Sequence, residues 1–140
     1  MPVHLIKIAV GCESVAHLRE WQRDRLRETG KLQHVTRFTP KRADEIISGG
    51  SIYWIIGGEI RCRQRIRRLD AVTDDDGNPA CALVLDTKVV EVAPVGRRPH
   101  QGWRYLDEKD APPDLTELAK GRGDAMPPKL LAELRSLGLI

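Results

Sequence analysis

Residues 52–68, IYWIIGGEIRCRQRIRR, constrain the fold more than any other stretch of this chain. An apolar, β-prone run meets Gly57-Gly58, and a second run follows with arginine at alternate positions. Such a glycine pair predicts a tight hairpin, because both central residues of the turn need positive φ. With an unbroken register, Ile56 faces Glu59, Trp54 faces Arg61 and Ile52 faces Arg63, while Tyr53 and Ile55 share the opposite face with Ile60 and Cys62. One face is then apolar, and the other sets an indole beside a ladder of Arg61, Arg63, Arg65 and Arg67. Like charges in a row repel, so the ladder needs water, acidic neighbours or an anionic partner.

A chain of 140 residues, 41% apolar and 31% charged, is long enough for one cored domain and is neither disordered nor membrane-spanning in composition. The N-terminus shows one lysine and a short apolar run, without the pattern of an export signal. Cys12, Cys62 and Cys81 are an odd number at unrelated spacings, so free thiols in a reducing cytoplasm are expected. Neither they nor the four histidines have metal-ligand spacing, and no nucleotide-cofactor fingerprint occurs; no metal or cofactor is expected. Charge is segregated: Arg37–Arg68 holds eight basic and three acidic residues, whereas Leu69–Asp86 holds five aspartates and no base. Two readings follow, a basic binding surface or pairing of the arginines with Asp74, Asp75, Asp76 and Asp86.

Val3–Val10 reads as a strand. Ser14 is an N-cap for a helix running to about Thr29, with Gly30 as its stop. Val15, Leu18, Trp21 and Leu26 share its apolar arc, into which Gln22 and Arg25 also point. His34–Phe38 is a strand, and Thr39-Pro40 opens a second helix that ends at Gly49-Gly50. After the hairpin, Asp74–Pro79 is a turn, and Ala80–Leu85 and Lys88–Val92 are strands. Residues 96–106 read as an irregular segment. Asp114–Glu117 has capping-box spacing, and Pro128 starts a last helix. The order predicts an α+β fold, a small and mostly antiparallel β-barrel with flanking helices, as a single domain over 1–140.

The segments HLIKIAVGCES, GGSIYWIIGGEIRCRQ and QGWRYLDEKDAPPDL resemble the small bacterial proteins grouped as domain of unknown function 1489. That resemblance implies no activity. The order of a strand, a helix ending in Gly-Gly and a run of antiparallel strands is also similar to PUA-like barrels, including the ASCH group, which bind RNA or modified bases. At the offsets where the ASCH motif carries charged residues, this chain has Ser51, Trp54 and Ile56, so no catalytic role is carried over.

The expected function is binding of RNA or a nucleotide-like anion. Arg61, Arg63 and Arg65 contact phosphates, Trp54 or Trp103 stacks on a base, Arg104 orients it, and Gln101 belongs to the same recognition loop. The alternative is an enzyme acting on a small anionic substrate near Cys12 and His100–Tyr105, with a thiol activated at a helix N-terminus. Trp103 and Tyr105 also suit anchoring the C-terminal segment to the barrel, Tyr105 the more so, with Trp103 left open between the two roles.

Overall fold

The computed structural model describes residues 2–98 and 100–116, and the predicted hairpin lies at its centre. β3 (Ser51–Ile56) and β4 (Glu59–Thr73) meet at Gly57 and Gly58, whose φ values of 62° and 81° only glycine adopts freely. β4 pairs with β3 on one side. On the other side, β6 (Val90–Gly96) flanks its first half and β5 (Pro79–Leu85) its second. β2 (Gln33–Thr36) adds to β5, β1 (Val3–Ile8) lies parallel to β3, and β7 (Trp103–Asp107) runs antiparallel to β1.

Among the described residues the order β2-β5-β4-β3-β1-β7, with β6 paired to β4 off this path, leaves β2, β6 and β7 as edges, so the sheet does not close into the expected barrel. A long segment joins β1 to β3. A crossover holding α1 (Val15–Thr29) and α2 (Ala43–Ile47) makes those two strands parallel neighbours. The fold is a mixed, strand-rich α+β architecture. Among the described residues no helix is long and apolar enough to cross a membrane.

Two bulges in β4 set which side chains point where. The first shifts the pairing so that Trp54 faces Cys62, Tyr53 faces Arg63 and Ile52 faces Gln64, with Arg61 as the extra residue. A second shift falls between Ile66 and Arg68. Each added residue reverses the alternation downstream. The expected pairing of Trp54 with Arg61 and of Ile52 with Arg63 is therefore corrected by one residue, whereas Ile56 does face Glu59.

The inner face of the sheet buries Val3, Leu5, Ile52, Trp54, Cys62, Ile66 and Leu83 against Val15 and Leu18 of α1 and Ile46 of α2. Ile6, Tyr53, Ile55, Ile60, Val92 and Leu106 form a smaller cluster on the outer face. α1 has the predicted ends: Ser14 accepts from the His17 N–H at 3.0 Å, and Gly30, at φ 72°, donates to the Leu26 carbonyl. α2 starts later than Thr39-Pro40 suggests. Its opening N–H, that of Arg42, donates to the Tyr105 hydroxyl at 3.2 Å, so the cap comes from another strand. The segment expected to be irregular contains β7, because β1 offers it an edge. The Asp114–Glu117 helix lies only partly within the described residues, and the helix expected from Pro128 lies outside them.

Candidate functional site

The bulge at Arg61 separates the indole from the arginines. Trp54 is 4% exposed beneath α1, and its Nε1–H donates to Gln64 Oε1 at 2.9 Å. Arg63, on the outer face, grips both carboxylate oxygens of Asp114 at 2.8 and 2.7 Å and donates to Ser51 Oγ at 3.1 Å. Arg61 lies 3.7 Å from Glu59, and Arg68 pairs with Asp70 at 3.0 Å. Arg65 is exposed and reaches the Ile47 carbonyl at 3.3 Å; Arg67 is exposed. The aspartates do other work. Asp74 accepts from the Asp76 and Asn78 N–H groups, and Asp86 from that of Lys88, so these acids shape turns.

Strand alternation splits the second expected set as well. Trp103 sits opposite Lys7 and points inward, donating to the Phe38 carbonyl at 3.2 Å, while Arg104 sits opposite Ile6 and is exposed. Tyr105 packs edge-on to Trp103 and lies under the Arg42 guanidinium at 5.4 Å. Both aromatics therefore anchor β7 to the segment before α2. Gln101 is exposed just ahead of the strand. Cys12 is half-buried, and burial pushes its thiol up, the reverse of what a nucleophile at a helix start needs.

The structure instead brings together residues that the sequence placed in different elements. A cleft of about 330 Å³ opens between α1, the end of β1 and β2, with Trp54 and Leu85 in its wall. Lys7 enters it because it continues the inward alternation of Val3 and Leu5; burial lowers its pKa below the ordinary lysine value. Gln22 and Arg25 reach it from the apolar arc of α1. Trp21, expected in the core, is 52% exposed at the rim, beside exposed Val10 and Val35.

His34 completes the cluster. Its ring meets Trp54 edge-on at 5.6 Å, and its Nε2 is buried without a hydrogen-bond partner. Burial first, then the charges of Lys7 and Arg25, pull its pKa down to about 4, so the imidazole is neutral at physiological pH. Among the described residues no carboxylate lines the cleft, and neither Lys7 nor Arg25 forms an ion pair.

Beneath the cleft, Gln64 is fully buried and fully satisfied. Its Oε1 accepts from Trp54 Nε1 and from Gln22 Nε2 at 2.9 and 2.8 Å, and its Nε2 donates to Gln22 Oε1 and the Asp86 carbonyl at 2.7 and 3.0 Å. The inward arc position of Gln22 and Arg25 was the sequence signal for this site. Lys7 and His34 carried none, because only the tertiary fold joins β1 to β2.

A family model described as "Protein of unknown function (DUF1489)" matches residues 5–140. No curated protein and no solved structure matches the chain.

Proposed function

Because the chain belongs to that family, whose description carries no activity, we propose a function from geometry: it binds a nucleotide-like anion in the cleft between α1, β1 and β2. The observation that carries this reading is the grouping of two cations, Lys7 and Arg25, with a neutral histidine in a cleft that no carboxylate of the described residues lines. Two cations on one partly apolar cleft, Lys7 half-buried and Arg25 exposed, attract an anionic group, and the apolar walls focus the field there. The walls supply the other half of the ligand. Trp21 offers an exposed indole face and Leu18, Leu32 and Val35 offer apolar contact, which suit a flat heterocycle.

The volume sits at the low end of ligand pockets, near one nucleotide unit. Of the two ligand classes expected from sequence, a mononucleotide suits it directly. An RNA would enter only through an end or a flipped-out nucleotide.

Calorimetric titration with inosine 5′-monophosphate and with inosine tests the reading. The nucleotide should bind about tenfold or more tightly than the nucleoside, more weakly as salt rises, and Lys7→Met and Arg25→Met should each remove most of that advantage. Equal affinity for the two, or an unchanged advantage in Lys7→Met, refutes it.

A further inference from the structure

The proposed ligand has two ends, and the amide chain under the cleft bears on the uncharged one. Trp54 Nε1–H can only donate, so the Gln64 atom facing it must be the carbonyl oxygen. The Asp86 carbonyl can only accept, so the opposite Gln64 atom must be the amide nitrogen. These two groups fix the polarity of Gln64 independently. Gln64 in turn fixes Gln22, because the two amides pair reciprocally at 2.8 and 2.7 Å and a flipped Gln22 would set nitrogen against nitrogen and oxygen against oxygen. Burial of Gln64 keeps water from substituting for any of these contacts.

Gln22 is thus unlike an ordinary surface glutamine, which turns its amide to suit either a donor or an acceptor. It keeps one N–H and one oxygen lone pair beyond its pair with Gln64, in a fixed arrangement, and its side chain lines the cleft. We infer that Gln22 is a specificity-determining residue of this cleft: held in one polarity by Gln64 and Trp54, it selects a heterocycle by whether the ring's edge group is an oxo acceptor or an amino donor. This rests on the nucleotide reading above and adds to it the feature of the ring that is recognised. A site whose polar group cannot turn rejects the wrong edge far more strongly than an apolar wall does, because the mismatched group is left unpaired.

The test compares affinities for inosine 5′-monophosphate and adenosine 5′-monophosphate, which differ at that edge. In the wild-type chain the two should differ by about tenfold or more. Gln22→Ala should bring them within about threefold. Gln64→Met keeps Gln22 but removes its lock, and should also bring them within about threefold, which a mere contact role for Gln22 does not predict. Gln22→Glu can only accept, and should move the ratio toward the amino-bearing nucleotide; it leaves Gln64 in place should Gln64→Met not fold. Lys7→Met should weaken both nucleotides together and preserve their ratio.

If both nucleotides bind the wild-type chain with nearly equal affinity, or if discrimination survives Gln22→Ala, the inference fails while nucleotide binding stands. If neither binds at about 1 mM, the nucleotide reading falls and takes this inference with it.

Discussion

Acid should destabilise this protein through His34, and the size of the effect follows from the cleft. The folded chain holds the imidazole at a pKa of about 4, against an ordinary value near 6.5. Between those values the unfolded chain binds a proton that the folded chain refuses. Stability from this group is therefore complete above the unfolded pKa and is lost as pH falls through the folded one. A gap of about 2.5 units at about 1.4 kcal/mol per unit sets a ceiling of about 3.5 kcal/mol. Integrating from about pH 7 to about pH 4.5 gives a loss of about 2 kcal/mol. His34→Phe keeps an aromatic edge against Trp54 and cannot titrate. Urea unfolding of both proteins at the two pH values isolates the term, since every other acid-sensitive group is common to them. The wild-type chain should lose about 2 kcal/mol more than His34→Phe. Equal losses, or a His34 resonance that titrates at the ordinary imidazole pH, refute the reasoning. Lys7→Met supplies an internal check: removing one of the three causes of the shift should raise the His34 pKa and shrink the loss.

Other perturbations probe the scaffold. A Cβ at Gly50 would fall 2.3 Å from the Val3 carbonyl and 2.6 Å from that of Ile46, so Gly50→Ala should cost about 3 kcal/mol or more in chemical denaturation; a well-folded variant of unchanged stability speaks against that backbone approach. Asp114→Asn leaves Arg63 without its two-oxygen partner, where the side chains are only 15% and 26% exposed. A loss of about 1–3 kcal/mol is expected in the same assay, and less than about 0.5 kcal/mol would show the pair to be idle. Trp103→Phe removes the indole bond to Phe38 and should cost about 1 kcal/mol without changing nucleotide affinity; a large fall in affinity would return Trp103 to the binding site.

Local chemistry was legible in the sequence where a single element decides it. Ser14 and Gly30 mark both ends of α1 because capping depends on neighbours within one turn. Gly57-Gly58 marks the hairpin for the same reason. What escaped was register. A bulge has no residue signature beyond the extra residue itself, yet the one at Arg61 decided whether Trp54 lay beside the arginines or beneath α1. Residues 103–107 read as irregular because an edge strand of five residues takes its conformation from the strand beside it, here β1, some 100 positions away. The cleft was half visible: Gln22 and Arg25 broke the apolar arc of α1, and nothing in their neighbourhood said that Lys7 and His34 would meet them.

β4, shared by three neighbours, also dictates an order of assembly. Its joints to β3 and β5 are closed by two short turns, so residues 51–85 can zip from local contacts alone. β1 must wait, since it docks against β3 only after roughly forty intervening residues have looped back, and β7 can add only once β1 is in place. β1, whose pairings close the longer loops, is thus among the last of these strands to find its partners, and the cleft, which needs Lys7 from it, is completed with it.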